Sequence, residues 1–227
     1  MNESIPLRRP GFLLAALISG GIALAAPASG ALAEYPFSAR MAQHLILQLI
    51  VPPLILLSLP MRRNAGKLDQ LLRHSVLAWF CGLSAMWIWH APALCNAAVR
   101  SPALHVVQEL SVLLMGMFFW WPIVGPGMSQ RLPPLLGCLY LFTACLGCTV
   151  MGIVIAFAPS GLYLAASLPG ALSEWRFAAP ADQRIGGLIM WVPGCFIYIA
   201  GIMGLMARWY GAQEPEVFSP GATERIS

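Results

Sequence analysis

Six apolar runs, each about as long as a lipid bilayer is thick, decide what this chain can fold into. They fall at about 11–33, 41–59, 75–90, 103–123, 135–157 and 185–207. The runs 135–157 and 185–207 contain no Asp, Glu, Lys or Arg at all. Roughly 20 apolar residues are needed to cross the hydrocarbon core as a helix. Inside it there is no water to satisfy backbone N–H and C=O groups, so each run must close its hydrogen bonds within itself. The fold class expected is therefore all-α: a polytopic membrane helix bundle with about six transmembrane helices, its outer surface in contact with the lipid bilayer. Composition agrees. Only 10% of the 227 residues are charged and 59% are hydrophobic, with mean hydropathy +0.74, whereas about a quarter of a soluble domain is charged.

The basic residues orient the bundle. Arg8, Arg9, Arg62, Arg63, Lys67, Arg73, Arg131, Arg208 and Arg225 fall on one side; Arg40, Arg100, Arg176 and Arg184 fall on the other. The richer side is expected to be cytoplasmic. That gives a cytoplasmic N-terminus over 1–10, a bundle over 11–208 and a cytoplasmic polar tail over 209–227. The first run admits two readings, a retained span or a signal peptide ending at Ala31-Leu32-Ala33. Pro52-Pro53 is expected to kink the second span. The basic residues sit at span ends without an aromatic-basic patch, so no nucleic-acid partner is expected.

Against this apolar background the titratable groups stand out, since such groups in a span are costly and mark function. His90 closes the third run, and His105 and Glu109 open the fourth on one helix face. His44 lies near the outer start of the second, three residues after Met41. Met190 lies on the same side of the sixth. His74 falls at the opposite face. Imidazole suits copper, zinc and iron, and thioether selects Cu(I). The candidate metal site is thus Met41, His44, His90, His105, Glu109 and Met190, with copper as the expected metal. Glu109 or Asp182 serves as a ligand or holds an imidazole in place.

Of the six cysteines, only Cys95 is read in a loop, so no disulfide framework is expected. Cys145, Cys148 and Met151 form a second, weaker stripe on the fifth span, with core filler as the alternative. The tryptophans fall mostly near span ends, as interface anchors do. Gly186-Gly187 and Gly201 with Gly204 are expected at close helix contacts. No nucleophile–base arrangement is visible, so no enzyme activity is expected.

Four stretches carry a resemblance: F-S-A-R-M-A-Q-H-L-I-L-Q-L-I-V-P-P-L; W-H-A-P-A-L; S-P-A-L-H-V-V-Q-E-L-S followed by F-F-W-W-P-I; and A-D-Q-R-I-G-G-L-I-M-W-V-P-G. In this order, over 37–198, they resemble the CtaG family of cytochrome c oxidase assembly factors associated with caa-type oxidases. The resemblance implies a multi-pass protein of the bacterial inner membrane. It would assist maturation of a haem-copper oxidase through its copper centres, with oxidase subunits as partners. The family's histidines fall on His44, His90 and His105, and its D-Q pair on Asp182 and Gln183. Its G-G-x-x-M-W segment falls on Gly186, Gly187, Met190 and Trp191. Two departures are Arg40 and Glu109, where relatives often carry histidine. The family pattern also has a seventh span. Two other functions are open: an accessory subunit of a respiratory complex with no metal of its own, and a transporter. The transporter ranks last, because no charged midplane path or internal repeat is present.

Overall fold

Proline sets where the helices start. Pro10, Pro36, Pro92, Pro102 and Pro134 each open a helix, where the missing N–H has no intrahelical partner to lose and the fixed φ is already helical. The computed structural model describes residues 9–28, 35–60, 74–127, 131–163 and 178–211. Helix accounts for 88% of these, and no β-strand occurs among them. In chain order the helices are α1 (Pro10–Ala28), α2 (Pro36–Leu45), a π-helical turn (Ile46–Ile50), α3 (Val51–Ser58), α4 (Ser75–His90), α5 (Pro92–Arg100), α6 (Pro102–Val124), α7 (Pro134–Phe157) and α8 (Ala178–Gly211).

Four helices among the described residues are long and apolar enough to cross a membrane. They are Pro36–Ser58, Pro102–Val124, Pro134–Phe157 and Pro180–Gly211. A fifth crossing results if α4 and α5, bent by 68° at their junction, count as one broken span. α1, Pro10–Ala28, is 19 residues long, of which Pro10–Ala26 counts as a shorter apolar helix. At 1.5 Å per residue the helix reaches about 28 Å, against a hydrocarbon core of about 30 Å. The expectation of about six spans thus resolves into four or five helices of spanning length plus this shorter one.

The Pro36–Ser58 span is the hub, with 61% of its apolar window buried in the protein against 22–39% for the other three. It packs on α1, α6 and α8. Pro52 and Pro53 supply no N–H, so carbonyls one turn earlier lose their donors. The chain absorbs this by widening: the Val51 N–H reaches back to the Ile46 carbonyl. The Gln48 carbonyl then faces Gly116 of α6, where a Cβ would stand 2.6 Å from that oxygen. The Gln48 side chain donates to the Gly82 carbonyl of α4 at 2.9 Å. One widened segment thereby ties three helices together.

α7 and α8 run antiparallel as the most extensive pair. Gly152 faces Gly187, Cys148 faces Met190, and Leu141 faces Gly201, so numbers fall on one helix as they rise on the other. A Cβ on Gly187 would meet the Ala156 backbone at 2.5 Å; small residues allow this close approach in a membrane. Gly186 makes room for Phe37 of α2 instead. Gly201 packs on Leu141 and Trp120, but Gly204 has nothing within 4 Å of its Cβ position, so it does not mark a helix contact. Trp120 is a core residue, 3% exposed, rather than an interface anchor.

Two stretches read as loops are helical. Pro92 cannot donate to the turn before it and forces Ala91 into an extended conformation, so α4 ends there and α5 starts anew. Cys95 therefore lies on a helix and is fully buried. Likewise α8 begins at Ala178, which puts Asp182 and Gln183 in its first turns. The polar tail 212–227, the segments 1–8 and 61–73, and the loop positions Glu174, Trp175 and Arg176 lie outside the described residues.

Candidate functional site

His44 and His90 meet. His44, on α2, lies eight residues after Pro36, about 12 Å along the helix. His90 ends α4. Their rings stand edge-on, with centroids 5.2 Å apart and planes at 87°. His44 Nδ1 is 3.4 Å from His90 Nε2, and the two residues are 0% and 3% exposed. His90 Nδ1 lies 2.6 Å from the Met86 carbonyl. A carbonyl only accepts, so Nδ1 carries the proton and His90 Nε2 presents a lone pair to His44 in the neutral ring. Tyr163 locks the same corner by donating to the His90 carbonyl at 2.9 Å.

His105 and Glu109 form a second pair on α6, with Nδ1 3.3 Å from Oε1 and side chains 26% and 16% exposed. The Gln43 amide donates to the Glu109 carboxylate. Gln43 precedes His44, so the two pairs are joined through α2. Arg40 is within electrostatic reach of His44, His105, Glu109 and Cys95. Its Nη1 is buried without a hydrogen-bond partner. The side chain of Gln108 lies beside His44, yet its amide nitrogen and oxygen and His44 Nε2 all lack a partner. A completely buried glutamine with both polar atoms idle is costly, and it sits where an imidazole needs an outer hydrogen-bonding group.

The expected set divides accordingly. His44 and His90 are in contact; His105 and Glu109 are in contact. No group of three or more His, Cys, Asp or Glu among the described residues is arranged to hold an ion. Met41 and Met190 are in the hydrophobic core, 0% and 1% exposed; Met41 packs against Gly186, and neither belongs to either pair. Asp182 has a different task. It is 1% exposed and accepts from the backbone N–H of Phe37 at 2.8 Å and of Ser38 at 2.9 Å, and also from the Ser38 hydroxyl. These are orphan donors of the α2 N-terminus, so Asp182 anchors the helix that carries His44. Gln183 donates to the Ile155 and Ala158 carbonyls at the end of α7.

Reading titratable groups alone misses Gln43, Gln48 and Gln108. Each is a polar side chain inside an apolar span, and that signal alone singles them out. At the opposite end of the bundle Arg131 closes the C-terminus of α6 by donating to the Gly125 and Val124 carbonyls. It is within electrostatic reach of Arg208, so two of the arginines assigned to the basic-rich face share one end of the molecule.

The family model described as cytochrome c oxidase caa3 assembly factor matches residues 2–212, nearly the whole chain. The chain belongs to that family. Among curated relatives it is similar to an uncharacterized protein of Mycobacterium leprae, 28% identical over 86% of this chain and 34% of the relative. Uncharacterized proteins of Mycobacterium bovis and Mycobacterium tuberculosis are each 26% identical over 76% of this chain and 30% of theirs. The chain thus spans about a third of the length of these relatives. No solved structure matches it.

Proposed function

We propose that this chain is a multi-pass protein of the bacterial inner membrane that binds cytochrome c oxidase subunits during their maturation. In this reading it holds Cu(I) as cargo at an outer-face site centred on His44 and His90. The chain crosses the membrane six times with both termini in the cytoplasm, α1 included, and has no catalytic activity of its own.

The observation that carries the copper reading is the His44–His90 pair. Two nitrogens each about 2.0 Å from one ion can be at most about 4 Å apart, and His44 Nδ1 and His90 Nε2 are 3.4 Å apart. The donor chemistry suits copper. Without a metal, the His44 Nδ1–H points to His90 Nε2. To free both lone pairs, the His44 proton moves to Nε2, where the idle oxygen of Gln108 is at hand to accept it. Outer partners of this kind fix a ligand's tautomer. Bound there, the ion is one the oxidase copper centres require. His105 and Glu109 are the more exposed of the two pairs.

A second reading has its own support. Only two imidazoles meet, and Arg40 brings positive charge beside Glu109. In that reading the polar cluster is structural, and the chain is an accessory subunit with no metal of its own.

The experiment is the copper content of the detergent-purified protein after Cu(I) loading under reducing conditions, for the parent, His44→Ala and His90→Ala. Near one equivalent in the parent, lost in both variants, is expected, together with reduced oxidase copper in cells carrying either variant. A copper-free parent, with normal oxidase activity in cells carrying the variants, would leave the structural reading standing and reject the copper one.

A further inference from the structure

The sulfurs of Cys145 and Cys195 are 3.1 Å apart, facing each other across the α7–α8 pair, and both thiols are free. The one-helix stripe expected from Cys145 and Cys148 does not form a unit. Cys148 is buried and turns its thiol to the Met190 carbonyl at 3.1 Å, and Cys145 pairs with the other helix instead. The Thr149 hydroxyl stands 3.2 Å from the Cys195 sulfur. A disulfide requires sulfurs about 2.05 Å apart, so closing the bond asks each side chain to move by only about half an ångström.

The place of the pair narrows its chemistry. Cys145 is the twelfth of the 24 residues of α7, which puts it near the middle of a spanning helix. Both cysteines are partly exposed, and their neighbours Phe142, Leu146, Phe196 and Ile199 are each 47–66% exposed. That surface is one a bilayer covers. A charged, water-soluble oxidant does not enter hydrocarbon, whereas a lipid-soluble one reaches the pair from the side.

We propose that Cys145 and Cys195 are a redox-convertible dithiol, oxidised to an α7–α8 disulfide by a lipid-soluble quinone. Two S–H bonds break and one S–S bond forms. The two electrons and two protons pass to the quinone, which leaves as the quinol. Thr149, beside Cys195, is the hydroxyl positioned to hand one proton on. Thiol–disulfide chemistry elsewhere likewise depends on access to the attacked sulfur and on proton removal. The assignment is independent of the copper reading and uses none of its residues.

The test uses the full chain in phosphatidylcholine vesicles, incubated with a short-chain ubiquinone analogue. The protein is then denatured, alkylated with N-ethylmaleimide, and weighed intact and as peptides. The parent is expected to carry two fewer alkyl groups than the untreated protein, to yield a linked peptide pair joining Cys145 with Cys195, and to regain both thiols with dithiothreitol. Cys148→Ser behaves like the parent, while Cys145→Ser and Cys195→Ser form no such link. Should those two variants fail to fold, the peptide map of the parent still decides. Six alkylated cysteines after quinone treatment, or a link running through Cys148, would overturn the proposal. Equally fast oxidation by glutathione disulfide would overturn its lipid-soluble acceptor.

Discussion

At the scale of the residue, Asp182 tests how the polar end of the bundle is held. It satisfies two backbone N–H groups and one hydroxyl at the start of α2. Each buried donor left alone costs about 1–3 kcal/mol. Asp182→Ala strands the two backbone donors and should therefore destabilise the protein by about 2–6 kcal/mol, read as a lower midpoint of unfolding in detergent. Asp182→Asn keeps one acceptor oxygen and should lose less than half of that. Equal midpoints for parent and both variants would remove Asp182 from this role. The sequence shows that Asp182 is anomalous, a carboxylate beside an apolar run. It does not show the partner, because Phe37 and Ser38 lie about 145 positions away and no local spacing rule links such distant segments. The same holds for His44 and His90: residue type and side of the membrane are legible, but a 3.4 Å contact is a product of packing. Gln108 is the converse case. It is in plain view between His105 and Glu109, and only its burial beside His44 gives it a meaning.

At the scale of the element, the hub span and α6 depend on a glycine. A Cβ on Gly116 would stand 2.6 Å from the Gln48 carbonyl and 2.9 Å from Pro52. The first contact is with backbone, which cannot swing aside as a side chain can. Gly116→Ala must push the two helices apart, and the expected result is a destabilised protein with looser packing around Gln48. Gly204→Ala is the matched control. Nothing lies within 4 Å of its Cβ position, so only the intrinsic helix gain of alanine, about 0.5–1 kcal/mol, remains. Opposite signs for the two variants in a thermal-unfolding assay are expected; equal effects would mean that the approach at Gly116 is not tight. Helix positions were largely legible because apolar length and N-terminal prolines are local signals. The failures are also local in origin. Pro92 and Pro102 look like loop punctuation, yet each opens a helix, and the nine residues of α5 bury Cys95 and Ala98. Pro180 likewise suggests a loop, although proline is tolerated in the first turn of a helix.

At the scale of the whole molecule, the proposed reading that α1 is part of the bundle, and not a leader removed after export, rests on its packing. α1 lies along α2, the π-helical turn and α3. It does so with small residues: Ala16 and Ala23 are each 3% exposed, and Gly20 approaches Val51. Its bulky residues Leu14, Leu17, Ile18 and Ile22 are 54–64% exposed, as lipid-facing side chains are. A helix with a small-residue face toward its neighbours and a large-residue face outward is built for helix association in a membrane, which a cleaved leader does not need. Ala23 closes a cluster with Leu47 and Val112, onto which Ile46 and Trp89 pack; without α1 that cluster opens to lipid beside the turn that follows His44. The intact mass of the protein isolated from membranes should therefore include residues 1–33. A mass that begins after Ala33 would show that α1 is a leader and that the hub span, not α1, forms the edge of the mature bundle.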